Sequence, residues 1–218
     1  MKRRRFLGKL AALFGASILP AAHRVIPTAP DYLQLHPGVP PPGAVDAWFL
    51  HDVTSEDCGW EPDTPPGLLE VVAWGTGRGQ TVLLAAKPPR PGQNWLRWNE
   101  GLRDAEGWSA IGPHGDPTMP YGPLEASGAS ISAPGEPRLG VVSGIVTKRA
   151  ARLRVYFRTG RPLELVPVDA GERFPVNFYA GLHRQPEHDE PPCTWHVVRV
   201  VAYDKAGRRV AQYQHGRT

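Results

Sequence analysis

Residues 151–158 read Ala151-Arg-Leu-Arg-Val-Tyr-Phe-Arg158, and they are followed by Thr159-Gly160 and a second β-rich run at 162–168. Apolar side chains occupy the odd-numbered positions from 151 to 157, and arginine or tyrosine occupies the even ones. A period of two is typical of a half-buried strand, because successive side chains of a strand point to opposite faces. The stretch therefore predicts a hairpin whose solvent face carries the arginines and whose other face meets a core.

Similar short runs occur on both sides of this hairpin. A hairpin with a glycine turn at 75–79 is expected from 68–74 and 81–86, and 46–50 predicts a short strand or turn. The segment 87–137 is the least regular, with short strands expected only at 94–101 and 108–111. Further strands are expected at 139–146, 173–180, 195–203 and 209–213. Many short strands joined by tight turns predict an all-β, antiparallel β-sandwich with long Pro/Gly-rich loops.

Composition agrees with a folded β-rich chain. The 218 residues include 24 Gly and 25 Pro, which disfavour long helices, yet 41% are hydrophobic and seven are Trp, which is enough for a core. No Gly-X-Y period, sustained heptad or apolar stretch of about 20 residues follows the N-terminal region. Collagen, coiled coils and multi-span membrane proteins are therefore excluded.

Residues 1–22 have a basic start, an apolar run and a small-residue end, which together predict an export signal peptide. Within them, Arg3-Arg4-Arg5-Phe6-Leu7 resembles the twin-arginine consensus, in which Arg3, Arg4, Phe6 and Leu7 are the residues that are read. The resemblance implies the twin-arginine translocase as a partner and a secreted, periplasmic or cell-surface location. A general secretory signal and an uncleaved anchor are the alternatives.

Five of the 25 basic residues lie in this signal, so a mature chain would carry 20 bases against 21 acids. Nucleic-acid binding depends on a clustered cationic surface, and we therefore expect no nucleic-acid partner. Residues 23–45 are proline-rich and predict an extended arm, which leaves 46–218 as the β-sandwich domain.

Cys58 and Cys193 are the only cysteines in the chain. An even pair in an exported protein favours one structural disulfide, because extracytoplasmic compartments are oxidising. Two free thiols, or a catalytic cysteine, are the alternatives.

The run from Gly140 to Thr147, the alternating strand after it, and Val200-Val-Ala-Tyr-Asp204-Lys-Ala-Gly207 resemble an immunoglobulin-like β-sandwich. Such domains are common in exported or surface-tethered bacterial proteins of uncharacterised function. The resemblance covers about 68–213 if the earlier hairpin belongs to the same domain, and it implies no catalytic residues.

Three groups of side chains are candidates for chemistry. His183, His188 and His196 offer imidazole ligands for a metal, although a solvated polar loop is the alternative. Four aromatic rings could form a surface on which sugars stack, and packing of these rings in the core is the alternative. These rings are Trp95, Trp98, Trp108 and Tyr121. Ser127 and Ser143 lack the Gly-x-Ser-x-Gly motif of a nucleophile elbow, and we interpret both as lying in turns or strand ends.

The sequence thus predicts an exported, non-catalytic β-sandwich module that binds an unknown extracytoplasmic ligand or protein, or has a structural role. We expect no cofactor and no catalytic residues. The alternative functions are a small extracytoplasmic metal-dependent enzyme and a carbohydrate-binding domain.

Overall fold

The computed structural model of the chain describes residues 33–55, 69–115, 119–131, 139–158, 160–184 and 197–215. Several predictions from the sequence lie outside the described residues. These are the signal peptide 1–22 with Arg3, Arg4, Phe6 and Leu7, the disulfide of Cys58 with Cys193, and the candidate ligands His188 and His196.

The described residues form thirteen strands and one short helix, so the predicted all-β fold class is confirmed. The helix is α1 (Ala47–Thr54), and no helix of the described residues is long and apolar enough to cross a membrane. The first seven strands are β1 (His36–Pro37), β2 (Glu70–Gly77), β3 (Gln80–Ala86), β4 (Trp98–Arg103), β5 (Ser109–His114), β6 (Leu124–Ile131) and β7 (Leu139–Thr147). They are followed by β8 (Arg152–Phe157), β9 (Leu163–Leu165), β10 (Val168–Asp169), β11 (Val176–Arg184), β12 (Val197–Tyr203) and β13 (Arg209–Gln214).

The strands form three antiparallel sheets. Sheet I has five strands in the order β1-β2-β3-β4-β5, sheet II has the order β10-β11-β7-β6, and sheet III has the order β13-β12-β8-β9. Sheet I is a meander, whereas the chain passes repeatedly between sheets II and III after β7.

The sheets are stacked, with sheet II in the middle. Alternate residues of β7 point in opposite directions, so Val141 and Ile145 join a core with sheet I, while Val142 and Val146 join a core with sheet III. A third, smaller cluster packs α1 on the outer face of sheet I. Each sheet therefore buries at least one face, which is the requirement for a stable β-sandwich.

The prediction of a short strand or turn at 46–50 is wrong, because α1 begins there. The Asp46 carboxylate accepts hydrogen bonds from the backbone N–H groups of Trp48 and Phe49, at 3.1 and 3.2 Å, and so caps the helix. Phe49 and Val53 then pack on Gly101, where a Cβ atom would lie 2.9 Å from the Phe49 ring. The missing side chain lets the helix approach the sheet.

The expected hairpin of β2 and β3 is present, but its turn is shorter than predicted. Only Arg78 and Gly79 form the turn, with φ values of 52° and 73°, as a two-residue hairpin turn of type I′ requires. Gly75 instead lies within β2, where a Cβ atom would come 2.5 Å from the Gln34 carbonyl oxygen. Its missing side chain makes room for the chain that leads into β1.

The segment 87–137 is more regular than predicted, because β4 and β5 overlap the short strands expected at 94–101 and 108–111, and β6 is a further strand. The strand β6 has the sequence LEASGASI, whose small residues give little strand signal. It is nevertheless fully paired with β7, from Leu124 opposite Val146 to Ile131 opposite Leu139.

The hairpin predicted from 151–158 and 162–168 is confirmed as β8 and β9. Leu153 and Val155 are fully buried between sheets II and III, and Arg152 is exposed. Phe157 packs against the same core but is only half-buried. The predicted orientation is therefore correct, although the core contact weakens toward the end of β8.

Candidate functional site

A polar group lies between sheets I and II, near the edge formed by β5 and β6. It consists of Glu100, His114 and Ser127, and is called the Glu100 cluster below. Glu100 is in the middle of β4, on the same face as the buried Trp98 and Leu102. His114 ends β5 directly opposite Trp98, and Ser127 comes from β6 of the facing sheet.

The three side chains are within contact distance. The Glu100 Oε1 atom is 3.4 Å from His114 Nε2, and the Ser127 Oγ atom is 3.0 Å from His114 Nδ1 and 2.9 Å from Nε2. Glu100 is 0% exposed, and neither of its carboxyl oxygens has a hydrogen-bond partner among the described residues. A buried carboxyl without partners is costly, and it marks this place as unusual in an otherwise apolar layer.

Two neighbours fix the position of the imidazole. A Cβ atom on Gly112 would lie 3.0 Å from both Glu100 Oε1 and His114 Nε2, so glycine leaves the space in which these two side chains meet. The Trp98 ring packs against the His114 ring with centroids 4.3 Å apart. The His114 side chain keeps 21% exposure, so solvent reaches its edge.

Burial dominates the electrostatics of the cluster. Loss of water raises the pKa of Glu100 above its ordinary value, and the contact with His114 opposes this rise. On sheet II, burial also raises the pKa of Glu125, whose Oε1 accepts a 2.7 Å hydrogen bond from the Gly122 N–H. His114 thus lies between two carboxyl groups whose pKa values burial raises.

This arrangement places a hydroxyl beside a proton acceptor, which is a starting point for nucleophilic chemistry. The interpretation of Ser127 as part of a turn or strand end is wrong, because it lies in the middle of β6. Ser143, directly opposite it on β7, is likewise inside a strand. The sequence does hold one sign of the cluster. Glu100 is a charged residue that alternates with Trp98 and Leu102 along β4, and so shares their buried face.

A second feature is a groove on the opposite side of the sandwich, where the β1–β2 edge of sheet I meets the region after β10. This edge groove has a volume of about 570 Å³ and is lined by residues 37–39, 70–72, 169–170 and 173–174. Val39 lies at one side of the groove and is 68% exposed, whereas Phe174, which also lines the groove, is buried. Arg173 and Glu70 form a two-pronged ion pair along it.

Among the aromatic residues predicted for ligand binding, Trp108 lies apart from Trp98. Trp98 is buried in the core, while Trp108 is 66% exposed just before β5, at the other end of the β4–β5 hairpin. Trp95 is half-buried, and Tyr121 packs against the core between sheets I and II. Ligand contact by the accessible rings stays a prediction.

The predicted metal ligands are described only in part. His183, in β11, is half-buried with its ring 4.6 Å from the Phe157 ring. Among the residues that the structure describes, no three His, Cys, Asp or Glu side chains are grouped so as to hold a metal ion. Since His188 and His196 lie outside those residues, the histidine site stays a prediction.

Protein-family models, curated proteins and solved structures were compared with the chain, and none of the three comparisons found a match. The function therefore has to be inferred from the edge groove and the Glu100 cluster.

Proposed function

We propose that the chain is an exported, immunoglobulin-like β-sandwich module that binds an extended peptide segment of a partner protein outside the cytoplasm. The observation that carries the proposal is the edge groove, where an incompletely paired strand borders an apolar cleft of about 570 Å³. This volume is within the range of known ligand sites.

Strand order supports the immunoglobulin-like assignment. An immunoglobulin sandwich has one sheet in the order A-B-E-D and another in the order G-F-C, often extended by C′. Sheet II has the order β6-β7-β11-β10, and sheet III has the order β13-β12-β8-β9. Labelling β6 to β13 as A, B, C, C′, D, E, F and G reproduces both orders. On this proposal the resemblance covers β6 to β13, and the β2–β3 hairpin belongs to the added sheet I.

Export is supported by the twin-arginine-like run Arg3-Arg4-Arg5-Phe6-Leu7. The translocase that reads such signals would then be a transient partner, and a Cys58–Cys193 disulfide would form after export. Cell fractionation with mass spectrometry of the mature N-terminus tests this part. A shortened chain outside the cytoplasm is expected, and an intact chain confined to the cytoplasm would refute export.

The chemistry of the edge groove favours an extended peptide. β1 pairs with β2 at Trp74 and Ala73, and the Gly38 N–H donates a 3.0 Å hydrogen bond to the Val72 carbonyl oxygen. Glu70 and Val71 therefore have no strand partner on that side among the described residues. A free edge of this kind accepts a peptide strand through main-chain hydrogen bonds, and pockets beside it hold alternate side chains. Here Val39 and Val71 offer apolar contact, and the Glu70–Arg173 pair offers charges.

Panning of a peptide library on the folded chain tests the proposal. Val39→Arg would fill the edge groove from a largely exposed position and should not disturb the core. Val166→Arg is a matched control, because Val166 is 74% exposed and does not line the groove. Wild type and Val166→Arg should enrich peptides with apolar residues at alternate positions, whereas Val39→Arg should not. Equal enrichment by both variants, or none by wild type, would refute it.

A further inference from the structure

The Glu100 cluster brings together three polar side chains from two facing sheets. Packing of an apolar layer does not require such side chains. Glu100 is a fully buried acid with no hydrogen-bond partner for either oxygen among the described residues, and its Oε1 is 3.4 Å from His114 Nε2. Ser127 lies against the same imidazole, with its Oγ 3.0 Å from Nδ1 and 2.9 Å from Nε2. We propose that these three residues form a nucleophile site that reacts with carboxylic esters, an activity separate from peptide binding in the edge groove.

The geometry gives each residue a role. Glu100 Oε1 faces Nε2, and the Ser127 Oγ atom is within hydrogen-bond distance of both ring nitrogens. In the proposed site the neutral imidazole carries its proton on Nε2, toward Glu100, which leaves Nδ1 as the acceptor. Nδ1 is then within hydrogen-bond distance of the Ser127 hydroxyl and can take its proton. Ser127 is the nucleophile and His114 the general base, while Glu100 is a positioning residue that orients the ring and stabilises its charged form.

The position of the cluster makes the site accessible. Ser127 and His114 lie at the edge between the two sheets, where both are half-buried, whereas Glu100 lies inside the layer. The side of the cluster that holds Ser127 and His114 therefore faces solvent in part, whereas the Glu100 carboxyl is closed off from it. The low-dielectric surroundings also strengthen the attraction between a Glu100 carboxylate and an imidazolium.

The reaction balances with water as the second reactant. The Ser127 Oγ atom bonds to the ester carbonyl carbon while its proton moves to His114 Nδ1. The ester C–O bond then breaks, the proton passes to the leaving alkoxide, and an acyl group remains on Ser127. Water attacks this acyl group in the same way and releases a carboxylic acid and the free hydroxyl.

A fluorophosphonate probe tests the nucleophile directly on the full chain. Attack by the Ser127 Oγ atom forms a P–O bond, breaks the P–F bond and releases fluoride, so peptide mass mapping locates the label. Ser143→Ala is the matched control, because Ser143 is the buried serine opposite Ser127 and its Oγ has no partner among the described residues. Wild type and Ser143→Ala should be labelled at Ser127, and Ser127→Ala should not be labelled. Absence of label on the folded wild type, or label that persists in Ser127→Ala, would overturn the proposal.

The role of Glu100 is tested by the pH dependence of labelling. The charged or titratable groups facing His114 are Glu100 and Glu125, and the nearby Tyr179 stays neutral because burial raises its pKa well above 10.0. Glu100→Gln keeps the shape of the side chain but removes the carboxylate. The labelling rate should fall by about tenfold or more, and its midpoint should move to lower pH, because the imidazole loses a neighbouring negative charge. An unchanged rate and midpoint would show that Glu100 has no part in the site.

Discussion

At Glu100 the protein keeps an acid away from water. Because burial raises the pKa of this carboxyl, the folded state resists its ionisation, whereas the unfolded chain ionises near 4.5. Between these two pKa values the unfolded state has released more protons, so the free energy of unfolding falls as pH rises. The cluster thus lowers stability at neutral pH, as active groups often do.

Glu100→Gln should therefore stabilise the fold above about pH 4.5 and leave it nearly unchanged below. Denaturant unfolding from pH 4 to pH 8 measures the effect. Part of the pH slope should remain, because the pKa of Glu125 is raised in the same direction by burial. A variant less stable than wild type at pH 8 would show that the Glu100 carboxylate is favourable where it lies.

A second residue-scale prediction concerns Tyr179, Gly144 and the Glu125 carbonyl. The Tyr179 hydroxyl crosses β7 to donate a 2.8 Å hydrogen bond to the Glu125 carbonyl oxygen, and a Cβ on Gly144 would lie 2.6 Å from that hydroxyl. Tyr179→Phe should cost about 1–2 kcal/mol of unfolding free energy. Gly144→Ala should cost more, because backbone would have to move. Gly122→Ala is the control, since its Cβ would have no neighbour closer than 3.7 Å. Equal stability of the Gly144 and Gly122 variants would contradict this packing.

At the scale of elements, α1 depends on its cap. Asp46→Ala should cost about 0.5–2 kcal/mol, because the N–H groups of Trp48 and Phe49 lose their acceptor. Asp46→Asn keeps a capping oxygen and loses only the ion pair with Arg103, at 2.7 Å between Oδ2 and the guanidinium. The loss for Asp46→Asn should be below about 1 kcal/mol, because the Asp46 side chain is 48% exposed and water screens the pair. Thermal melts of both variants measure the difference, and identical losses would assign the effect to the ion pair.

The hairpin of β8 and β9 allows a test of strand orientation. Leu153→Ala should cost about 2–5 kcal/mol, because Leu153 is fully buried between sheets II and III. Arg154→Ala removes an ion pair with Glu164 in which both side chains are more than 40% exposed, and should cost less than about 1 kcal/mol. Urea unfolding compares them, and similar losses would mean that the strand faces the other way.

Strands with many large or β-branched apolar residues are predictable from the sequence, as β7, β8 and β12 show. The strand β6 is not, because Ala126 packs as a small residue against a core that other strands supply. The helix α1 has only eight residues, and its stability depends on the Asp46 cap and on contact with Gly101, which is distant in sequence. The Glu100 cluster follows from pairing between β4 and β5 and from the approach of β6. Residue spacing alone could not predict that meeting.

In the whole molecule, sheet II is the middle layer of three. Sheet I covers one of its faces, while sheet III covers the other and completes the proposed immunoglobulin-like sandwich. This arrangement produces both candidate sites, because the edge groove and the Glu100 cluster lie at opposite edges between sheets I and II.

The strand β7 provides the most direct test, since its two faces point into different cores. Methyl nuclear Overhauser effects should connect Ile145 with residues of sheet I such as Val82 and Leu102, and Val146 with residues of sheet III such as Leu153 and Val155. Observation of both sets is the predicted result. If the methyl groups of β7 showed contacts on one face only, sheet II would be an outer layer, and the three-layer fold would be contradicted.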